Sequence, residues 1–425
     1  MKVLVIGGGG REHALIAAIR KSPRVTEVVC APGNGGIAAE ARCVPVRQND
    51  LSDLLRVVEA EQPGLTVVGP ELPLSLGLVD AMRQRGLRVF GPSQRAAQLE
   101  SSKAFAKEFM QRHNIPTARY AVCGSAAEVQ TALAHFHAPI VVKADGLAAG
   151  KGVVICASKE EALATAGKML NGELLGTAER RIVLEEFLEG EETSFLVLAD
   201  GQHTLPLAAA QDHKRIGEGD TGLNTGGMGA YSTEELLDAS MRDWLIAHVA
   251  QPVIDGMAAE EAPFTGVLYC GMMMTARGPM VLEFNARFGD PETQAVLPRL
   301  QSDLVEAFEA AVDGRLDQIT LQWTKQPSVC VIAASGGYPG DYVNGKSITG
   351  LAEAATVPGV KVYHSGTAGQ GDAQVTAGGR VLAVTAVAET LSAACKNAYA
   401  ALDKIHFDGI YYRRDIAHRA LQKKG

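Results

Sequence analysis

The first hundred residues repeat one pattern that strongly limits the fold: a short apolar run, a turn rich in glycine or proline, and a segment with helical spacing. Short β-branched runs that alternate with amphipathic helices indicate parallel strands joined by crossover helices, so we predict a doubly wound parallel sheet. Such sheets bind ligands at the carboxyl ends of their strands. The four apolar runs occupy residues 3–6, 27–30, 65–68 and 87–90.

The composition narrows the class of protein. A chain of 425 residues with 47% hydrophobic and 21% charged residues is typical of a globular protein of two to four domains. Its net charge of −8 disfavours a nucleic-acid partner. The start, Met1–Ile6, is too short an apolar run for a targeting signal, and no run approaches the roughly 18 residues of a membrane span. We therefore expect a cytoplasmic protein without a membrane partner, and its seven scattered cysteines as reduced thiols.

The pattern changes near residue 100 and again near residue 326, which predicts three domains. We place the parallel-sheet domain at 1–101, a central domain at 102–325 and a small β-rich domain at 326–425. Within the central domain, 119–190 is predicted as a separate α+β unit. The glycine-rich run 217–229 is predicted as a long loop, and such loops are often functional.

The run Gly7–Gly10 lies between the first strand and the first helix. It suggests a dinucleotide site, but Glu12 or His13 stands where G-x-G-x-x-G needs its third glycine. The second strand also ends in Ala31-Pro32, where nicotinamide-binding folds place an acid for the ribose. The run therefore predicts either a tight turn or a site for a small anion at the helix N-terminus.

A second glycine-rich loop runs from Lys143 to Gly152. It fails the Walker A pattern, because Gly146 and Gly150 are too close and a strand rather than a helix follows. A loop between two antiparallel strands can cover a triphosphate, and a lysine at the end of an apolar strand is costly unless it meets an anion. We predict a nucleotide site here, with a surface hairpin as the alternative.

Two further segments carry charge next to apolar strands. The segment 182–192 is an apolar strand followed by an acidic linker, which could frame a purine base or be a solvated charge cluster. Glu283, Asn285 and Arg287 alternate along a strand and so share one face. Carboxylate and amide oxygens suit Mg²⁺, and arginine can fork onto a carboxylate or phosphate. The alternative is that these three residues lie on the solvent-exposed face of an edge strand.

The loop 211–231 combines glycine, charge and amides, as expected of a clamp for a small polar substrate. We interpret His213 within it as a solvated histidine, since no nearby residues complete a catalytic triad with it.

Taken in order, the Lys143–Gly152 loop, the linker 185–188 and the Glu283-x-Asn285-x-Arg287 strand resemble the ATP-grasp superfamily. The run 287–294, Arg-Phe-Gly-Asp-Pro-Glu-Thr-Gln, is similar to the signature of its phosphoribosylamine–glycine ligase family. The other segments that resemble this family are 5–13, 32–36, 211–215, 224–231 and 378–382.

This resemblance implies an enzyme of purine biosynthesis that joins glycine to 5-phosphoribosylamine through glycyl phosphate, using ATP with Mg²⁺ or Mn²⁺. It implies two α+β subdomains of an ATP-grasp fold between the outer domains, and we expect a monomer or weak homodimer. The alternatives are another ATP-grasp carboxylate–amine ligase, a nicotinamide oxidoreductase and a non-catalytic nucleotide-binding module. The loop 144–152 is expected to close over ATP.

The matching positions imply the following roles. ATP would contact Lys103, Lys143, Gly150, Lys151, Gly152, Glu185, Glu186, Phe187, Leu188 and Glu192. The metal ion would be held by Glu283 and Asn285, with Glu292 as a further candidate. The catalytic residues would be Arg287 and Lys151. The glycine and phosphoribosylamine contacts would be Gly9, Asn34, Asp212, Lys214, Arg287, Gly289 and Asp290.

Overall fold

The protein is described by a computed structural model that covers residues 1–147, 152–174, 176–371 and 373–422. As the sequence predicted, the chain has an N-terminal parallel-sheet domain, a central domain of two α+β subdomains and a C-terminal domain. We call the central one the ATP-grasp domain, after the resemblance described above. The exact domain boundaries proposed above stay predictions.

The N-terminal domain is built on a parallel sheet with the strand order β3-β2-β1-β4-β5. The order reverses at β1, as in a doubly wound sheet. Its strands are β1 (Lys2–Gly7), β2 (Glu27–Pro32), β3 (Arg42–Cys43), β4 (Leu65–Val68) and β5 (Val89–Phe90). Its helices are α1 (Gly10–Ile19), α2 (Leu51–Glu61), α3 (Glu71–Ser75), α4 (Leu78–Arg83) and α5 (Gln98–Ser101).

The smaller ATP-grasp subdomain is an antiparallel sheet with the order β6-β9-β7-β8. Ser102 accepts a hydrogen bond from Phe105 N and so caps the N-terminus of the first helix, α6 (Lys103–Arg112). The strands are β6 (Tyr120–Cys123), β7 (Ile140–Ala144), β8 (Val153–Cys156) and β9 (Ile182–Glu186). The helices are α6 (Lys103–Arg112), α7 (Ala126–Leu133) and α8 (Lys159–Leu170).

The larger subdomain centres on the antiparallel sheet β11-β10-β16-β17. Its strands are β10 (Glu191–Asp200), β11 (Thr204–Pro206), β12 (Gln211–Asp212), β13 (Arg215–Gly217), β14 (Thr221–Asn224), β15 (Gly229–Ser232), β16 (Thr265–Thr275) and β17 (Gly278–Asn285). Its helices are α9 (Ala239–Leu245), α10 (Gln251–Ala259), α11 (Glu292–Val296) and α12 (Leu304–Val312). A π-helical turn, Ile246–Ala250, joins α9 to α10.

The prediction that 217–229 is one irregular loop is wrong in part. Its residues 221–224 form β14, which pairs with β13 in a two-stranded hairpin. A high glycine content does not exclude a short hairpin, because glycine is well suited to its turn, where Gly219 has φ 64°.

The C-terminal domain shares its main sheet with the ATP-grasp domain. The order β12-β15-β18-β23-β20 places two strands of the 211–232 segment beside strands from beyond residue 326. The strands here are β18 (Ser328–Ala334), β19 (Ser347–Ile348), β20 (Val360–His364), β21 (Thr367–Gln370), β22 (Ala373–Thr376) and β23 (Arg380–Val387). The helices are α13 (Leu351–Ala354), α14 (Leu391–Leu402) and α15 (His418–Gln422).

The apolar cores also cross from one domain to the next. Leu4 and Ile6 of β1 belong to the same buried cluster as Phe109 of α6, Phe195 of β10 and Val281 of β17. Burial of such side chains favours folding by about 1.5–3 kcal/mol each. The N-terminal and ATP-grasp domains are therefore packed together rather than merely tethered.

All seven cysteines are free thiols, as predicted, and only Cys43 is not fully buried. In the part of the chain that the structure describes, we find no helix with the length and apolar character required of a membrane span.

Candidate active site

A cavity of about 580 Å³ lies where the three domains meet. It is lined by most of the residues that the sequence analysis selected, which come from distant parts of the chain. These are Lys103, Lys143, Gly152, Glu185, Glu186, Phe187, Leu188, Glu192, Asp212, Lys214, Glu283, Asn285, Arg287 and Asp290, together with Glu292. Two further predicted ATP contacts, Gly150 and Lys151, lie outside the described residues, as does much of the predicted lid.

One end of the cavity holds two buried lysines that share a buried glutamate. Lys143 Nζ lies 2.9 Å from Glu185 Oε1, and Lys107 Nζ lies 2.8 Å from Glu185 Oε2. Burial raises the pKa of Glu185, but the two lysines lower it by more, so the pKa lies below its ordinary value. Burial also lowers the pKa of Lys107 to about 8, although Glu185 opposes this change. This end of the cavity is suited to an anion.

Lys107 was missed by the sequence analysis. A signal for it exists, because it follows Lys103 by one helical turn in α6 and lies among the buried Ala104, Ala106 and Met110. A lysine on the apolar face of a helix requires a buried anionic partner.

Lys103 lies beside the glycine-rich loop. Its Nζ donates to the carbonyl oxygen of Gly146 at 3.0 Å. Asp145 accepts from Ser102 Oγ at 2.9 Å and from Ala104 N at 2.8 Å, so it ties the same loop to the start of α6. Burial lowers the pKa of Lys103, with Glu283 acting in the opposite direction. The start of the loop is therefore held against a lysine that lines the cavity.

The linker after β9 contributes an apolar wall and a charged rim. Leu188 is buried against Ala118 and Met273. Glu186 also lines the cavity and pairs with Arg277 at 2.9 Å. Glu192, on β10, pairs with Lys214 at 2.8 Å. The predicted adenine and ribose contacts thus line one side of the cavity, and their roles remain predictions.

Glu283 and Asn285 occur two residues apart on β17 and both line the cavity. Glu283 keeps 36% of its side chain exposed, and its nearest cationic partner, Lys214 Nζ, is 3.8 Å away. Burial raises the pKa of Glu283, but Lys214, Lys143 and Lys103 lower it below the ordinary value, so the carboxylate is charged.

These residues fit a divalent ion that is held mainly by a nucleotide. Among the described residues no group of three His, Cys, Asp or Glu side chains could hold a metal by itself. Mg²⁺ is commonly bound by one or two protein oxygens plus substrate phosphates and water. A charged, accessible Glu283 beside the amide oxygen of Asn285 meets that description.

Arg287 lies between two acids that the sequence analysis missed. Its Nη2 is 2.8 Å from Glu100 Oε1, and its Nε is 3.3 Å from Glu71 Oε2. Nη2 also donates to Asn285 Oδ1 at 3.2 Å. Burial lowers the pKa of Arg287, but Glu100 and Glu71 raise it above the ordinary value. Glu71 could have been found, because it follows the carboxyl end of β4, where this fold places ligands.

Asp212 and Lys214 lie beside a buried network around Glu292. Glu292 Oε1 accepts from Tyr269 Oη at 3.0 Å and from Ser194 Oγ at 3.2 Å. Burial raises the pKa of Asp212 to about 8; Lys214 lowers it, and Glu292 raises it again. Asp212 is therefore easier to protonate than an ordinary aspartate, and a further cation beside it would favour its charged form.

The remaining predicted substrate contacts connect domains. Asn34 Nδ2 donates to the carbonyl oxygens of Gly8 at 2.9 Å and of His364 at 2.7 Å, so its amide joins the outer domains. Gly9 N donates to Glu12 Oε2 at 2.6 Å. Gly289 accepts at its carbonyl oxygen from Thr293 Oγ1 at 2.5 Å. Unlike the other predicted site residues that the structure describes, Gly9, Asn34 and Gly289 do not line the cavity wall, and their roles remain predictions.

The interpretation of His213 as a solvated loop residue is wrong. The side chain is 1% exposed, and its Nε2 accepts from Ala417 N at 3.2 Å. Burial and the neighbouring Arg413 lower its pKa to about 3, so it is neutral. The segment around residue 417, which is far away in sequence, covers it; no local pattern could show this.

The comparisons with known proteins agree with this geometry. Family models of phosphoribosylglycinamide synthetase match the chain over residues 1–100 (N domain), 101–293 (ATP-grasp A domain) and 328–419 (C domain). The chain belongs to the phosphoribosylglycinamide synthetase family. A phosphoribosylamine–glycine ligase from Pseudomonas aeruginosa is 51% identical over 429 residues, which cover 100% of this chain and 99% of that protein.

Solved structures agree with membership of the phosphoribosylglycinamide synthetase family. The crystal structure of phosphoribosylamine–glycine ligase from Thermotoga maritima has a TM-score of 0.86 at 33% identity and covers 98% of this chain and 100% of its own. A biotin carboxylase domain from Hydrogenobacter thermophilus has a TM-score of 0.74 at 17% identity, covering 96% of this chain and 91% of its own. The second match shows the shared fold alone.

Membership of the phosphoribosylglycinamide synthetase family decides between the alternatives left open above. The chain is a ligase of purine biosynthesis with an ATP-grasp fold, which uses ATP and a divalent metal ion. A nicotinamide oxidoreductase and a binding-only module are both excluded, because relatives at about half identity over the full length are ligases.

Proposed function

We propose that the cavity between the three domains joins glycine to 5-phosphoribosylamine, with conversion of ATP to ADP and phosphate, and yields glycinamide ribonucleotide. The observation that carries this proposal is the single cavity in which buried lysines, the pair Glu283 and Asn285, and Arg287 lie together in a member of this family.

The chemistry requires activation of glycine. A carboxylate is a poor electrophile, because an oxide ion would have to leave when an amine attacks. Transfer of the γ-phosphoryl group of ATP to the carboxylate oxygen gives glycyl phosphate and ADP. The amine of phosphoribosylamine then attacks the acyl carbon, inorganic phosphate leaves, and the amine loses a proton. Catalysis of this kind depends mainly on positioning and charge neutralisation.

The residues supply these two effects. Lys103 and Lys143, with Lys151 of the glycine-rich loop, neutralise the phosphates of ATP. The linker 185–188 frames the adenine, and Glu192 accepts from the ribose hydroxyls. Arg287 stabilises the negative charge that develops on the phosphoryl group in transit. Its two glutamate partners fix the guanidinium plane in advance.

The metal ion is proposed to be Mg²⁺ or Mn²⁺, held by Glu283 and Asn285. When bound, it neutralises phosphate charge and orients the γ-phosphoryl group. The relative from Hydrogenobacter thermophilus is described in complex with the magnesium salt of ADP, which is consistent with this assignment.

Asp212 and Lys214 are proposed to hold glycine. The amino group of glycine is a cation, and a cation close to Asp212 would lower its pKa from about 8 and return the carboxylate to its charged form. We further propose that the enzyme is cytoplasmic and acts as a monomer or weak homodimer.

The reaction is tested by measuring phosphate release from ATP with Mg²⁺, with glycine and phosphoribosylamine supplied together or singly. Phosphoribosylamine is generated in place from ribose 5-phosphate and ammonia. We expect release only with both substrates, with one glycinamide ribonucleotide per phosphate. Release that ignores glycine but responds to another carboxylic acid would reject the proposed substrate.

A further inference from the structure

Arg380, the first residue of β23, extends from the C-terminal domain into the cavity. Its Nη1 donates to the carbonyl oxygens of Gly226 at 2.6 Å and Asp290 at 2.8 Å. The same nitrogen lies 3.3 Å from Asp290 Oδ1. The ATP-grasp domain thus holds Nη1 in place, and this fixes the direction in which the other edge of the guanidinium, formed by Nε and Nη2, points.

The second edge of Arg380 is available to a ligand. In the described part of the chain no residue accepts a hydrogen bond from its Nε or Nη2, and the side chain is 20% exposed. The backbone packs closely on this group, because a Cβ added at Gly226 would lie 3.1 Å from Arg380 Cζ. Arg287 and Arg11 differ, since Nε, Nη1 and Nη2 of each lie within 3.4 Å of an acid or a carbonyl oxygen of the protein.

A second donor lies beside it. Tyr338 lines the cavity, and its hydroxyl oxygen accepts from Gly226 N at 3.0 Å. That bond uses an acceptor site of the hydroxyl and leaves its own hydrogen free to donate. Gly226 therefore holds Arg380 and Tyr338 side by side, so that a cation and a neutral donor face the cavity together. Among the described residues, no anion accepts a hydrogen bond from Nε or Nη2 of Arg380 or from the hydroxyl group of Tyr338.

The position of this pair indicates its ligand. The triphosphate of ATP is assigned to the lysine end of the cavity, and the amine of phosphoribosylamine must reach the carboxyl group activated near Glu283 and Arg287. The 5-phosphate is at the opposite end of the ribose from that amine, so it needs cations elsewhere. A guanidinium edge forms two parallel hydrogen bonds with a phosphate monoester.

We propose that Arg380 and Tyr338 bind the 5-phosphate of phosphoribosylamine and thereby select a phosphorylated sugar. This inference rests on the proposed function for the identity of the substrate. It separates the substrate contacts into a glycine end around Asp212 and Lys214 and a phosphate end supplied by the C-terminal domain.

The test uses ribose 5-phosphate and ribose as probes, because they differ only in the phosphate, with binding measured by calorimetry. In Arg380→Gln, affinity for ribose 5-phosphate should fall about 10- to 100-fold, as expected for loss of charge-assisted hydrogen bonds. Arg380→Lys should retain part of the affinity. The control Arg414→Gln removes an arginine that is 63% exposed in the same domain and should bind like the wild type.

Several results would overturn this inference: unchanged ribose 5-phosphate affinity in Arg380→Gln, an equal loss of affinity for ribose, or a rise in the KM of glycine alone. If Arg380→Gln does not fold, Tyr338→Phe provides the test, because it removes a hydrogen-bond donor without removing a charge. This variant must bind ribose 5-phosphate more weakly than the wild type does and must bind ribose equally well. Wild-type ligation is assayed separately. If it succeeds while these variants bind normally, only this inference fails; if it fails, the proposed function fails.

Discussion

At the scale of single residues, the site depends on charges that are paired before substrate arrives. Glu283 is an exception, because it is charged, accessible and, among the described residues, no closer than 3.8 Å to a cation. This is the environment expected of a carboxylate whose partner is a metal ion bound with the nucleotide.

Glu283→Gln removes that charge without changing the size of the side chain. We expect kcat at ordinary Mg²⁺ to fall by about 100-fold or more, as for loss of one preorganised electrostatic group, with an unchanged melting temperature. Glu59→Gln, on the exposed face of α2, is the control and should be fully active. Turnover near that of the wild type would reject the metal assignment.

Lys107 should matter first for stability. Lys107→Met leaves Glu185 with one cation instead of two, and we expect a loss of about 3 kcal/mol in the free energy of unfolding. The double variant Lys107→Met with Glu185→Gln should recover part of this loss, because no uncompensated charge remains. Lys168→Met on the exposed face of α8 is the control, measured by the same denaturant titration. A loss in Lys107→Met no larger than in that control would contradict the prediction.

Local patterns identified some of these residues and not others. The alternation of Glu283, Asn285 and Arg287 is visible in sequence because a strand puts every second side chain on one face. Glu100 is not visible, since it meets Arg287 only after α5 packs against β17. The burial of His213 depends in the same way on a segment two hundred residues away.

At the scale of elements, His213 couples the segment 211–232 to the residues just before α15, through the hydrogen bond from Ala417 N. The unfolded chain binds a proton at this histidine below about pH 6.5, whereas the native state does so only near pH 3. Stability must therefore fall as the pH falls through this range. Between pH 7 and pH 5 the contribution of His213 to the free energy of unfolding should fall by about 2 kcal/mol.

In His213→Asn this part of the pH dependence should disappear, whatever the stability of the variant at pH 7. His137→Asn replaces an exposed histidine and should keep the wild-type slope. Denaturant titrations at pH 7, 6 and 5 measure how the free energy of unfolding changes with pH in the wild type and in the two variants. An unchanged slope in His213→Asn would show that other groups cause the acid sensitivity.

The turn between β1 and α1 is fixed by close approach of two backbones. An alanine Cβ at Gly8 would overlap the backbone carbonyl group of Gly33, so Gly8→Ala should cost about 1–3 kcal/mol of stability. Gly167→Ala is the matched change, because Gly167 is in α8 and, apart from its own helix backbone, no atom of the described residues lies within 4 Å of the new Cβ; it should gain about 0.5–1 kcal/mol. Thermal unfolding compares them, and equal effects would contradict the assigned crowding.

The positions of strands and helices were predicted better than the pairing of the strands. The parallel order of the first sheet follows from alternating strands and helices. In the small subdomain the sequence indicates only the antiparallel pair β7 and β8, which follow each other directly, because α7 and α8 separate the other strands along the chain. The hairpin of β13 and β14 was missed because its glycine content hides the strands. The pairing of β15 with β18 joins residues a hundred positions apart, and no local periodicity encodes such a pairing.

At the scale of the whole molecule, the cavity exists only because three domains meet. The N-terminal domain supplies Glu71, the ATP-grasp domain supplies the lysines and Glu283, and the C-terminal domain supplies Arg380. The sheet β12-β15-β18-β23-β20 contains strands from both later domains and so holds the segment 211–232 against the C-terminal domain. Family membership names the reaction, and this assembly explains how distant motifs can act on one substrate.

The most direct test of the account follows the oxygen atoms of glycine. Glycine labelled with ¹⁸O in both carboxylate oxygens is converted in the presence of ATP, the metal ion and phosphoribosylamine, and the products are analysed by mass spectrometry. If the cavity activates glycine as glycyl phosphate, one labelled oxygen must appear in inorganic phosphate for each glycinamide ribonucleotide formed. Unlabelled phosphate, with product still formed, would contradict transfer of the phosphoryl group to glycine.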